Sequence, residues 1–273
     1  MLVTKHHGLG NDFLIVLANE HCAIPSITAL PELARAMCDR RLGIGADGLI
    51  VGYPCEGADL QMVLHNADGS RAEMSGNGIR CLAQAEVMRR GEISDLRIDT
   101  DGGMRDIRVE ASVPGIVQAS VDMGAMGQGP GVVPEILEDS RVVRAATGDL
   151  GNPHLVIQAD LETIDVVEDG AGFESHYVAG LNVEFISARR DASDSLDLVV
   201  WERGAGVTAA CGTGAVAAAV RANEWGLVGS KVTVHMPGGQ AVVEVGEVAI
   251  LTGPSQFIAA ITWGEEPDWG TNE

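Results

Sequence analysis

Apolar residues fall in short runs along this chain, separated by glycine-rich loops. Phe13-Leu-Ile-Val, Leu60 to His65, Leu155-Val-Ile and Leu196 to Trp201 read as strands from their length and turn-rich borders. Two stretches change to a helical period. Ile79, Leu82, Ala83 and Val87 are spaced for one helix, with Arg89 and Arg90 in its last turn and Gly91 as its stop; Ala215 to Trp225 predicts a second, Ala-rich helix that ends at Gly226. After each helix comes a strand–turn–strand pattern, RIDTDGGMRDIRV over 97–109 and VTVHMPGGQAVVEV over 232–245.

The two sets of elements are copies of one another. Residues 60–78, LQMVLHNADGSRAEMSGNG, lie over 196–214, LDLVVWERGAGVTAACGTG, without a gap, at the constant offset of 136 that sets Ser75 against Cys211. The same offset relates Gly102-Gly103 to Gly238-Gly239. Upstream, Leu9-Gly10-Asn11 echoes Leu150-Gly151-Asn152 at an offset of 141. Two units of roughly 130 residues are too long and too few for a solenoid, so the pattern predicts two similar α/β (α+β) domains. We place the first at 1–116, completed by 256–273, and the second at 117–255. The tail GEEPDWGTNE is expected to be loosely ordered.

Charge narrows the function classes. The 273 residues carry a net charge of −21, with lysine only at Lys5 and Lys231, so nucleic acid and anionic membrane are excluded as partners. An anionic ligand must instead find local donors such as Arg203 or helix N-termini. The N-terminal segment lacks a secretory pattern and no apolar run reaches the length of a membrane helix, so the chain reads as cytoplasmic. Its cysteines, Cys22, Cys38, Cys55, Cys81 and Cys211, show neither CxxC nor Cys/His metal spacing. No metal site is expected, and apart from one chemical thiol they read as small buried hydrophobes. Neither copy has G-x-G-x-x-G followed by a ribose-binding acid, and neither lysine sits in a pyridoxal pattern, so no cofactor is expected.

A duplicated unit facing itself across a cleft presents one element from two sides. Ser75 and Cys211 each precede a G-x-G turn at a helix start, and could flank one bound carbon. One group would remove a proton from one face and the other would return a proton to the opposite face. A helix start favours negative charge, which predicts a thiol pKa lowered toward neutrality at Cys211 and N–H groups free to hold a carboxylate.

These stretches resemble one family, the diaminopimelate epimerases. The matching segments are His7-GLGNDF-Phe13, Gly43-IGADGL-Leu49, Asn66-ADGS-Ser70, Glu73-MSGNGIRC-Cys81, Gly151-NPH-His154, Glu202-RGAG-Gly206 and Ala210-CGTGA-Ala215. The resemblance implies two pseudo-symmetric domains, each a curled, mostly antiparallel sheet around a central helix, with the active site in the cleft between them. It implies cofactor-independent conversion of LL- to meso-diaminopimelate in lysine and peptidoglycan precursor synthesis, and a homodimer is compatible with it. By the same resemblance Cys211 is one catalytic thiol. Gly76, Asn77, Gly212 and Thr213 would hold the reacting carboxylate, while Asn11, Asn66, Asn152, Asn182, Glu202 and Arg203 would clasp the rest of the substrate. His154 would orient or wall the site.

Taken singly, several of these residues read equally well as structure: Asn11 and Asn152 as turn formers, Asn66-Ala-Asp-Gly as a turn, Glu202-Arg203 as a surface ion pair. Cys81, Phe173, Trp201 and Trp225 read as core or interface. Two positions depart from the family. Gly48 stands where some relatives carry a larger polar side chain, which removes a minor substrate contact, and Ser75 replaces a catalytic cysteine. A hydroxyl is a far weaker acid than a thiol and cannot store a proton vacancy in the same way. Three readings stay open: a diaminopimelate epimerase using Ser75 as second base, resembling the Ser/Cys pairing of hydroxyproline epimerases; a related epimerase or dehydratase using Cys211 alone; and a catalytically impaired form that binds diaminopimelate.

Overall fold

The computed structural model describes residues 1–18, 26–189 and 192–264; Cys22 and the tail from 265 onward lie outside them. The first half runs β1 (Leu2–Gly8), β2 (Asn11–Leu17), α1 (Leu30–Cys38), β3 (Gly48–Tyr53), β4 (Leu60–Asn66), β5 (Arg71–Ala72), α2 (Gly76–Arg90), β6 (Leu96–Thr100), β7 (Gly103–Val113) and β8 (Ile116–Asp122). After α3 (Pro134–Glu138) the second half repeats the series as β9 (Arg144–Asp149), β10 (Pro153–Gln158), α4 (Val166–Glu174), β11 (Asn182–Ala188), β12 (Ser195–Glu202), β13 (Gly206–Thr208), α5 (Gly212–Glu224), β14 (Lys231–Met236), β15 (Gly239–Glu244) and β16 (Ile250–Thr262). The strands, helices and both Gly-Gly hairpins expected from the sequence are present, and the mixed α+β class is as expected.

All the strands belong to one sheet. Its order is β1-β2-β3-β4-β6-β7-β8-β16-β15-β14-β12-β11-β10-β9, with β5 on β4 and β13 on β12. Strand β16 is the seam. Its first residues pair with β15 and β8, and the stretch Gln256 to Thr262 pairs with β1, closing the first eight-stranded circuit on itself. Helix α2 runs inside that circuit against β1, β2, β3, β7, β8 and β16, while α5 packs on β9 to β12, β14 and β15.

Being enclosed, both helices are buried nearly all round. Helix α5 meets this with Ala215, Ala217, Ala218, Ala219 and Ala222, whose small side chains let the sheet close tightly. Helix α2 takes a costlier route and buries Asn77, Arg80, Gln84 and Glu86, each of which needs a partner there. Its C-terminus stops on Gly91 in the left-handed conformation (φ 73°), the backbone state that glycine adopts at least cost. Smaller cores lie under α1 and α4, the latter holding Phe173 with Trp201 beside it; Trp225 packs on the main core. Cys38 and Cys81 are buried core thiols, and burial raises them to about 12 and about 11. Cys55 departs from the expectation, because it sits half-buried in the loop after β3.

Gln84 is the hub of a polar cluster inside the first circuit. Its Oε1 lies 2.9 Å from His6 Nδ1 and accepts from Ser255 Oγ at 2.8 Å, while its Nε2 donates to Gly115 O at 2.9 Å. His6 Nε2 has no partner, and burial lowers the imidazole pKa from 6.5 to about 4. Folded His6 is therefore neutral where the unfolded chain already binds a proton. Stability falls as pH drops below 6.5, and the loss is complete near 4, amounting to about 3 kcal/mol. Urea unfolding of the unaltered chain and His6→Gln across pH 7.5 to 4 should show the difference shifting by that amount in the variant's favour; a constant difference contradicts the assignment.

Candidate active site

Each half delivers one helix start to the same place. Ser75, extended at φ −141° and ψ 123°, caps α2 with Oγ accepting from Gly78 N at 3.0 Å. Cys211, at φ −120° and ψ 121°, caps α5 with Sγ accepting from Gly214 N at 3.3 Å. The glycines next to the caps are there because the starts touch. A Cβ on Gly76 would lie 3.1 Å from Gly212 Cα, and one on Gly212 would lie 2.9 Å from Gly76 Cα, with Leu251 closing the third side. Asn77 fastens the contact by donating to Ala210 O at 3.0 Å, across the seam.

A cleft of about 670 Å³ opens onto these helix starts. Among its lining residues are Asn11, Asn66, Ser75, Gly76, Asn77, Asn152, Asn182, Glu202, Arg203, Cys211, Gly212 and Thr213. Every residue the sequence pointed to for catalysis or binding is thus brought to one cavity. His154 stands behind it, fully buried, with Nδ1 2.6 Å from Glu184 Oε1 and Nε2 3.1 Å from Asn152 Oδ1.

The amides are held in place rather than loose. Asn11 donates to Asp47 Oδ2 at 2.8 Å and accepts from Asn77 at 3.1 Å. Asp47 is in turn fixed by Arg40, which also grips Asp12. Asn152 reaches Thr213 Oγ1 at 3.4 Å, and Asn182 Oδ1 accepts from Arg203 N at 2.9 Å. Asn66 does form the expected turn, with Gly69 N donating to its carbonyl, and its side chain donates to Ser70 Oγ at 3.0 Å. Glu202 and Arg203 make separate contacts: Glu202 accepts from Thr208 Oγ1, and Arg203 Nη1 donates to Ala179 O at 3.2 Å. At Gly48 the structure shows no vacated contact. A Cβ there would lie 2.9 Å from His65 O and 3.2 Å from the Phe13 ring, so strands β2 and β4 already fill the position.

The electrostatics overturn one expectation. Burial, followed by the carboxyls of Glu202 and Glu184, raises the Cys211 thiol well above its ordinary value, against the hydrogen bonds from Thr213 and Gly214 N that act to lower it. The helix start loses to desolvation and like charge. Cys211 therefore keeps its proton in the unliganded cleft. Glu202 is itself raised, first by burial, and the Cys211 thiol is within hydrogen-bonding reach of it.

Three contributors escaped the sequence reading: Asp47, Glu184 and Arg80. Glu184 left a trace, as an acid between Val183 and Phe185-Ile186, where the strand register sets it against the apolar Ile50. Among the described residues no group of three or more metal-ligating side chains comes together, and no helix is long and apolar enough to cross a membrane.

Two facing helix starts with a carboxylate-sized set of N–H groups, set in a duplicated sheet, define an isomerase of the epimerase class. The family model for diaminopimelate epimerase matches residues 3–126 and 147–258, and the chain belongs to that family. It is 38% identical to the diaminopimelate epimerase of Desulfitobacterium hafniense, over 94% of this chain and 96% of that one. It is 40% identical to that of Moorella thermoacetica, over 93% and 96%. Its fold is shared with the Bacillus anthracis phenazine biosynthesis protein of the PhzF family, at a TM-score of 0.74 and 14% identity over 96% and 98% of the chains.

The contact between helix starts gives a direct test. Gly212→Ala forces a methyl into the Gly76 backbone and should cost about 1–3 kcal/mol of stability, with ligand affinity at the cleft falling as the starts separate. Thermal unfolding and calorimetric titration with diaminopimelate check this; unchanged stability and affinity contradict the contact.

Proposed function

We propose that this chain interconverts LL- and meso-2,6-diaminopimelate without a cofactor, using Cys211 and Ser75 on opposite faces of one Cα. The convergence of all the expected binding residues with both helix starts on a single cleft supports the reading. The substrate has an ammonium and a carboxylate at each end. The N–H groups of Gly76, Asn77, Gly212 and Thr213 suit the reacting carboxylate, and Asn11, Asn66, Asn152, Asn182 and Arg203 suit the distal end. That distal clasp favours diaminopimelate over a substrate with a single amino-acid end.

In one direction the Cys211 proton passes to Glu202, and the thiolate so formed removes the Cα proton. The electron pair left on Cα moves into the carboxylate, where the helix-start N–H groups stabilise it. The Ser75 hydroxyl gives its proton to the opposite face of Cα, and its oxygen, left negative, is held by Gly78 N–H until the proton taken up by Glu202 returns to it through the solvent of the open cleft, which restores both groups. The reverse direction exchanges the roles. His154 bonds Glu184 and Asn152 and so orients the wall beside Cys211. The reading includes two domains, 1–116 completed from 256 onward and 117–255, each bringing one helix start, and places the enzyme in the cytoplasm as a homodimer serving lysine synthesis.

Proton NMR of LL- and meso-diaminopimelate in D₂O tests this. The unaltered chain should invert the centre with deuterium incorporation, and Cys211→Ala should slow it by about 10²–10⁴-fold. Ser75→Ala should stop inversion while one isomer still exchanges, and Ser75→Cys should raise the rate. Inversion that survives Ser75→Ala, or no binding of diaminopimelate, overturns the reading.

A further inference from the structure

The two halves of the cleft are built alike but charged oppositely. Arg80, in the first turns of α2, is among the largest fully buried side chains of the described residues. Its Nη1 donates to Gly76 O at 2.8 Å and its Nη2 to Asn77 Oδ1 at 2.6 Å, while its Nε has no partner. Among the described residues its hydrogen bonds go only to these neutral oxygens and no carboxylate pairs with it. Taking a guanidinium out of water without a counter-ion costs several kcal/mol. Burial brings its pKa down to about 10, which leaves it cationic at neutral pH. The repeat sets Val216, a core residue, at the matching place in α5.

The converse holds on the other side. By strand register Glu184 matches Ile50, and Glu202 matches Asn66, in the first half. Glu184 is fully buried, has one oxygen on His154 and the other without a partner, and stands where a Cβ on Gly214 would meet it at 2.7 Å. One helix start therefore has an unpaired cation behind it, and the other has the buried carboxyl of Glu184 and the half-buried one of Glu202 beside it. Arg80 also acts by geometry. With Oδ1 engaged by Arg80, the Asn77 amide must turn Nδ2 outward, where it bonds Ala210 O and Asn11 Oδ1.

We propose that Arg80 is a positioning residue for the reaction: it locks Asn77 across the seam and stabilises the negative charge that develops at position 75 once that position gives up its proton, while Cys211 holds its own proton in the unliganded cleft. The proposal rests on the two-base reading above and adds which face bears the charge. Other charged groups near position 75 are Arg40, Asp47, Asp68, Arg71 and Glu73 from the first half and Glu202 and Arg203 from the second. Arg40 is tied to Asp12 and Asp47, and Arg71 to Asp101, so their fields are largely cancelled. Around Arg80 itself, β1 brings Lys5, His6 and His7 and β2 brings Asp12, which Lys5 and Arg40 already neutralise.

The Ser75→Cys chain places a thiol at both helix starts and lets the field be read without substrate. Iodoacetamide alkylation across pH, resolved by peptide mass spectrometry, should give a midpoint for the thiol at position 75 about two pH units or more below that of Cys211. Adding Arg80→Gln should raise the midpoint at 75 by about one unit, a tenfold loss of thiolate at neutral pH. Arg80→Lys, which keeps the charge, should raise it less, and Cys211 should move little in either. Equal midpoints, a lower one at Cys211, or no movement with Arg80→Gln overturns the proposal. The comparison of the two thiols needs no change at Arg80, so a variant that fails to fold leaves it decisive. A chain that alkylates as expected but does not epimerise diaminopimelate keeps this inference and sinks the substrate reading instead.

Discussion

Two helix N-termini touch at Gly76 and Gly212, and the rest of the site follows from that contact. Each start carries the positive end of a helix dipole and several N–H groups without intrahelical partners. Bringing two such ends together is unfavourable by itself, so the fold must impose it. It does so by enclosing α2 within a closed strand circuit, packing α5 on the second run of strands, and joining the two through β16. What results is a place where an anion relieves the repulsion. In the proposed reaction a carboxylate bound there has its neighbouring carbon between the residues that cap the two helices, one from each half.

The cap itself carries opposed demands. A helix start favours an ionised thiol, but Cys211 is enclosed and has Glu202 and Glu184 near it, and burial with like charge wins. In the proposed reaction one of the carboxyls that keep the thiol protonated, Glu202, is also the acceptor for its proton. Ser75 sits in the more open half, with Gly78 N–H on its oxygen and Arg80 behind its helix. The weaker acid has the more positive surroundings. This asymmetry is laid over a symmetric backbone, at positions where the repeat exchanges Ile50 for Glu184, Asn66 for Glu202 and Arg80 for Val216.

Much of this was legible from residue order. The gapless match of 60–78 with 196–214 located both helix starts, their preceding strands and the hairpins that follow, because strand length, glycine stops and helical spacing are local properties. The clasp residues came from the resemblance and fell in one cleft. What stayed hidden depends on enclosure. An arginine in a helix reads as solvated unless the helix is known to run inside a sheet, so Arg80 gave no signal. Gln84 and His6 were silent for the same reason. The lowered thiol pKa expected at Cys211 was a correct local argument that left out two carboxyls delivered from β11 and β12. Gly48 looked like a missing contact and is a packed strand position, which only the pairing of β2, β3 and β4 reveals.

The central claim is geometric: one carbon lies between residue 75 and residue 211, with its carboxylate on both helix starts. A crystal structure of the chain with meso-diaminopimelate bound tests it most directly. The account predicts one Cα at about 3–3.5 Å from both Ser75 Oγ and Cys211 Sγ, on opposite faces, with its carboxylate on the N–H groups that open α2 and α5. A ligand seated against only one helix start, or with its carboxylate turned away from the Gly76–Gly212 contact, would contradict it.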